Sequence, residues 1–140
     1  MKEYKVIVDD YGSIYWYKLG TDTLGRDDGP AIENIIGDKY WYQNGKYHRI
    51  DGPAIEFADG TKFWFQNGKL HRLDGPAVEY TDSAKCWYIE GKDYSEQKFK
   101  EEIARRNHLS KLCEKVGARR RFCSYQLNDK TMEIDGKKYK

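Results

Sequence analysis

The side chains richest in chemistry occur twice in one order, His48-Arg49-Ile50-Asp51-Gly52-Pro53 and His71-Arg72-Leu73-Asp74-Gly75-Pro76. A histidine beside an aspartate could act as an acid–base pair, and the arginine between them could hold a carboxylate. Catalysis, however, needs one converging site, whereas residues that return at a fixed interval form a ladder suited to structure or to periodic binding. The residue types therefore point to an arginine that bonds the aspartate of its own or the next loop. His48, Arg49, His71 and Arg72, with Trp41, Trp64 and Trp87, become candidate partner-binding residues, and none is assigned a catalytic role. Neither copy offers a third ligand beside its histidine, so no metal and no cofactor is expected. The sequence contains no Gly-rich phosphate loop, no GxSxG and no HExxH.

A second set of charged residues lies towards the C-terminus. The formal net charge of +2 divides unevenly: residues 1–97 hold 12 Lys and Arg against 17 Asp and Glu, and residues 98–140 hold 13 against 6. Arg105, Arg106, Lys111, Lys115, Arg119, Arg120 and Arg121 could contact phosphates, and the tryptophans could stack on bases. That is the alternative reading, a nucleic-acid or nucleotide-binding protein. The plainer one is that the basic third faces an acidic partner or the acidic first part of the same chain.

The elements that would position these residues follow from a comparison of the chain with itself. Asp28-Gly29-Pro30-Ala31-Ile32-Glu33 recurs 23 residues later from Asp51 and again from Asp74. Trp41, Trp64 and Trp87 keep the same offset, as do Gly45, Gly68 and Gly91. A weaker copy with Trp16 and Gly20 precedes them, two residues longer before Arg26, and the third full copy ends the array with Tyr94-Ser95. About four units thus run from residue 4 to 94. Within a unit, alternation such as Ile55 with Phe57 and Phe63 with Phe65 predicts two short strands. Asp59-Gly60, Asn44-Gly45 and Asn67-Gly68 are read as type I′ turns. Gly29, Pro30, Gly52, Pro53, Gly75 and Pro76, with Asp51 and Asp74, are structural loop residues, since proline cannot donate to a central ladder.

A 23-residue unit cannot bury an apolar face alone, so the expected fold is mainly β: an elongated antiparallel sheet of stacked hairpin repeats, α+β overall once the C-terminal part is added. The columns Ile32/Ile55/Val78 and Tyr42/Phe65/Tyr88 would form a thin core. The tryptophans would line the opposite face, as core or as an exposed groove. Residues 95–117 are read as a helical cap: Ser95 caps a helix over about 96–106, Asn107 marks a break, and Leu109, Leu112, Cys113 and Val116 form a second stripe ending at Gly117. Residues 118–140 carry the basic segment and a small β-hairpin around Asp135-Gly136. The three cysteines, Cys86, Cys113 and Cys123, have no CxxC spacing and are read as free thiols.

The period, with the phrase Asn67-Gly68-Lys69-Leu70-His71 and hairpins that close in Asp-Gly, resembles a divergent MORN repeat. The form with His-Arg-x-Asp-Gly-Pro-Ala in place of His-Gly-x-Gly resembles uncharacterised repeat proteins of large tailed bacteriophages. The likeness covers residues 10–106 and implies a non-enzymatic module: a phage protein that binds and inhibits or redirects a host protein, such as a defence or transcription component. A structural scaffold is a further alternative. The mean hydropathy of −0.96 is offset by 21 aromatic residues, which predicts a folded chain. No apolar run has membrane-span length and the first residues lack a signal segment, so a cytoplasmic protein, in the host cell if viral, is expected without membrane attachment.

Overall fold

The structure, a computed structural model, describes residues 3–115 and the strands 123–125, 132–134 and 137–139. It is mainly β, with antiparallel strands and one helix near the C-terminus. The chain divides into two compact units, residues 1–96 and 97–140.

The first unit is a nine-stranded antiparallel sheet with two side ribbons. Strands β1 (Tyr4–Val8), β2 (Ile14–Lys18), β3 (Ile32–Glu33) and β4 (Lys39–Tyr40) open it. The chain then leaves for a ribbon of β5 (Tyr42–Gln43) and β6 (Lys46–Tyr47) before returning as β7 (Ile55–Glu56) and β8 (Lys62–Phe63). A second ribbon, β9 (Phe65–Gln66) with β10 (Lys69–Leu70), precedes β11 (Val78–Glu79), β12 (Lys85–Ile89) and β13 (Lys92–Tyr94). The order in the large sheet is β1-β2-β3-β4-β7-β8-β11-β12-β13. The Asn-Gly turns of the ribbons have both residues at positive φ, 51° and 74° at Asn44-Gly45 and 50° and 78° at Asn67-Gly68, as a type I′ turn requires.

The Asp59-Gly60 turn is different. Only Gly60 has positive φ; Gly60 N donates to Phe57 O and Phe57 N to Thr61 O, which is a type I turn closed by a glycine bulge. Asp59 is kept in ordinary space because its carboxylate accepts from Thr61 N at 2.7 Å.

Register separates the two faces of the large sheet. One row of directly opposed residues runs Tyr15, Ile32, Tyr40, Ile55, Phe63, Val78, Cys86, and the row beside it runs Ile14, Glu33, Lys39, Glu56, Lys62, Glu79, Lys85. The first is apolar; from Glu33 onward the second alternates acid and base, which favours each cross-strand pair. On the apolar side Phe57 meets Tyr40 and Phe63, and Phe63 meets Tyr80, all edge-to-face at 5.7 to 6.1 Å. Ile55 and Val78 are buried as expected, while Ile32, Tyr42, Phe65 and Tyr88 are half-buried. The deepest side chains are Ala31, Ala54 and Ala77, which have no exposed surface.

In the second unit, α1 (Glu96–Lys115) runs unbroken through Asn107, so the expected break there is corrected. Glu102 binds Arg105 and Arg106 one turn on, a tie that offsets the modest helix cost of one asparagine. Glu96 stands in its first turn and Lys115 in its last, each favourable with the helix dipole. Gly117, named above as the helix stop, lies outside the described residues. The expected hairpin is present as β15 (Met132–Ile134) against β16 (Lys137–Tyr139), with β14 (Cys123–Tyr125) added on the far side of β15.

Candidate functional site

Tryptophan marks the point where each strand leaves the large sheet for its ribbon. Trp41 N donates to Ala54 O at 2.7 Å within the sheet, and Trp41 O accepts from His48 N at 3.1 Å on the ribbon side. Trp64 repeats this with Ala77 and His71 at 2.8 and 2.9 Å. The ribbon then returns the arginine over the indole: Arg49 Cζ lies 4.0 Å from the Trp41 ring centre and Arg72 Cζ 3.9 Å from that of Trp64, both cation–π stacks.

Each stacked guanidinium is also fixed by three hydrogen bonds. Arg49 Nε donates to Asp51 Oδ1 at 3.0 Å, and its Nη1 donates to Pro53 O at 3.1 Å and Glu56 Oε1 at 3.0 Å. Arg72 does the same to Asp74, Pro76 and Glu79 at 2.8, 3.1 and 2.9 Å. The arginine therefore bonds the aspartate of its own loop. The glycine of each loop is needed for room: a Cβ on Gly52 would stand 2.9 Å from Arg49 Cζ and one on Gly75 3.0 Å from Arg72 Cζ. Gly29 has the same relation to Arg26 at 3.1 Å.

Arg26 reaches the same stack, 4.0 Å from the Trp16 ring, in spite of the two additional residues between them. Its bonds are fewer. Nε donates to Asp28 at 2.7 Å, but Nη1 stands 3.9 Å from Glu33. At the other end of the array, Ser95 occupies the position where an arginine would cover Trp87, which sits half-buried in β12 opposite Tyr94.

Each histidine joins its ribbon to the next hairpin turn, the β9–β10 turn for His48 and the β12–β13 turn for His71. His48 Nδ1 accepts from Asn67 N and His71 Nδ1 from Glu90 N, both at 3.0 Å. Acceptance by Nδ1 commits that nitrogen of each ring to a backbone N–H and leaves the proton on Nε2.

Between consecutive loops lie two open clefts. The first, about 560 Å³, has Asp28 and Pro30 on one wall and Trp41, His48, Arg49 and Ile50 on the other. The second, about 590 Å³, has Asp51 and Pro53 facing Trp64, His71, Arg72 and Leu73. Arg49, Ile50 and Asp51 belong to both. In the first, burial and then the hydrogen bond with Tyr47 raise the Tyr42 phenol above its ordinary value and keep it protonated. The structure thus gathers six of the candidate binding residues into two equivalent groups and leaves Trp87 apart.

Sequence reasoning missed Glu33, Glu56 and Glu79 as arginine partners, although they share the 23-residue offset, and missed the apolar rim residues Ile50 and Leu73. In the basic set, Arg105 and Arg106 are ion-paired with Glu102 at 2.6 and 2.8 Å, and Lys111 and Lys115 are exposed on α1. Arg119, Arg120 and Arg121 lie outside the described residues. Among the described residues no group of three or more His, Cys, Asp or Glu could hold a metal, Cys86 is a free thiol, and no helix is long and apolar enough to cross a membrane. In comparison with known protein families, curated proteins and solved structures, the chain matches none.

Proposed function

We propose that the chain is a non-enzymatic protein-binding module made of stacked, divergent MORN-like hairpin units. From its likeness to tailed-bacteriophage proteins, its partner is a host protein that it inhibits or redirects. The observation that carries this reading is the pair of equivalent clefts, each with a tryptophan, an arginine, a histidine and an exposed aspartate in the same relation. A recurring, shallow, aromatic and charged surface suits contact with a macromolecule, whereas a catalytic device needs a single convergence of groups. The use of both histidine Nδ1 atoms in hydrogen bonds to the next hairpin turn supports the same conclusion.

A tagged pull-down from bacterial lysate, with and without nuclease, tests it. The expected result is a stoichiometric protein that survives nuclease and moderate salt and is lost from a variant in which both Trp41 and Trp64 are phenylalanine. Recovery of nucleic acid alone, released by moderate salt, would overturn the reading in favour of the basic C-terminal set.

A further inference from the structure

The clefts have a period, a hydrogen-bond donor and a sign of charge, and the three together specify a ligand class. Trp41 follows β4 and Trp64 follows β8, two strands further on in the order β4-β7-β8. At the usual strand separation of about 4.8 Å, the two indoles recur every ~9.6 Å. A polyproline II helix has three residues per turn at 3.1 Å each, so equivalent groups on it recur every ~9.3 Å.

The donor is the indole N–H. Among the described residues none accepts from Nε1 of Trp41 or Trp64, and each indole lines its cleft; the N–H of Trp16 is buried and unpaired. Each cleft is therefore lined by one indole whose N–H has no partner among the described residues, and a polyproline II backbone, which forms no internal hydrogen bonds, presents one open carbonyl per turn at the matching interval. Ring contacts for proline come from Pro30, Ile50 and Leu73, of which Ile50 is 81 % and Leu73 44 % exposed.

The charge at the rim is acidic. Asp28, Asp51 and Asp74 keep 71, 86 and 84 % of their side chains exposed, while the guanidinium groups beneath are only 20 to 22 % exposed. A ligand lying along the clefts meets carboxylate first. Resting on the binding-module reading above, we propose that the clefts bind a proline-rich segment of the partner in polyproline II conformation, with a basic side chain once per turn directed at the aspartate rim. The Trp41 and Trp64 indoles hydrogen-bond successive carbonyls, and the two clefts act as one continuous track.

The test is a titration of the full chain with a twelve-residue peptide of four Pro-Pro-Arg triplets, followed through the indole N–H resonances in a nitrogen–proton correlation spectrum. The Trp41 and Trp64 resonances are expected to shift, with that of Trp16 unmoved. Trp41→Phe and Trp64→Phe, which keep an aromatic ring and delete the donor, should each weaken binding at least about fivefold, the value of one hydrogen bond. Four Pro-Pro-Glu triplets should not bind, and four Gly-Ser-Arg triplets should bind at least tenfold more weakly. Equal affinity for the Gly-Ser-Arg peptide would reduce the effect to charge and overturn the proposal, as would binding that leaves both indoles unshifted. If no peptide binds while the double phenylalanine variant loses the captured lysate protein, the ligand class is wrong and the module reading stands. If that variant also retains the protein, both fail.

Discussion

Replacement of Arg49, Arg72 and Arg26 by alanine, one at a time, gives three outcomes that the geometry orders in advance. Arg49→Ala removes a stack on Trp41 worth about 0.5–1 kcal/mol. It also strips the donor from the carbonyl of Pro53, a buried residue, and from the Glu56 carboxylate, one-third exposed; an orphaned acceptor of this kind costs about 1–3 kcal/mol. The bond to Asp51, 86 % exposed, contributes little. The expected loss is about 3 kcal/mol, and Arg72→Ala should match it within about 0.5 kcal/mol because its three bonds and its stack are the same. Arg26→Ala, with its stack and one exposed partner, should cost about 1 kcal/mol. Urea unfolding followed by far-ultraviolet circular dichroism measures all three, with m-values held constant as the check that the end states are unchanged. The reasoning is refuted if Arg26→Ala costs as much as Arg49→Ala, or if the two equivalent arginines differ by more than about 1 kcal/mol.

The glycine requirement has its own double-mutant cycle: Gly52→Ala should cost about 1–2 kcal/mol by displacing the guanidinium, and most of that cost should vanish when Arg49 is already alanine. Glu90 holds φ of 50° where the equivalent turns have Asn44 and Asn67, so Glu90→Asn should stabilise the chain by about 1 kcal/mol, read as a raised thermal midpoint. Glu102 is held below the usual carboxylate range, first by its hydrogen bond from Arg105 and then by that from Arg106. The stability this gives is full above the unfolded-state value of about 4.3 and is lost as pH falls through the lowered folded-state value. The stability difference between the native chain and Glu102→Gln should therefore shrink as pH drops below about 4; a gap constant with pH would refute it.

The offset of 23 residues made the large sheet legible, because strands β4, β8 and their neighbours carry apolar alternation that repeats with the turn residues. It also picked out the arginine, aspartate and tryptophan that the structure brings together. The glutamate partners were hidden by their position: Glu56 lies seven residues beyond Arg49 and reads locally as a solvent-facing strand residue. The reason for Gly52 was hidden too, since an Asp-Gly pair suggests a positive φ when what matters is space for the arginine side chain of the same loop. The Asp59-Gly60 turn misled for a related cause. Its side-chain bond to Thr61 selects the bulged form, and no spacing rule sees that bond. Trp16 and Arg26 show the limit of strict periodicity, for a loop two residues longer still delivers the guanidinium to the same stack.

The hydrogen bonds from Asn67 to His48 and from Glu90 to His71 have a consequence for how the chain finds its native state. Each ties one ribbon to the turn of the next hairpin, and the two joints are alike in geometry. Near-identical joints cannot tell an adjacent segment from one two places away or from the same segment in another molecule, so misregistered pairing and strand exchange are the natural kinetic traps of such a chain. Departures from the pattern then act as address marks. Gly25 takes the place of a histidine and donates to Trp16 O at 3.0 Å, the turn tip at Ile35-Ile36 is apolar where its equivalents are Ala58-Asp59 and Thr81-Asp82, and Glu90 replaces asparagine. Variants that erase these irregularities by copying one consensus unit throughout would gain local stability and lose the labels that keep each segment beside its own neighbour.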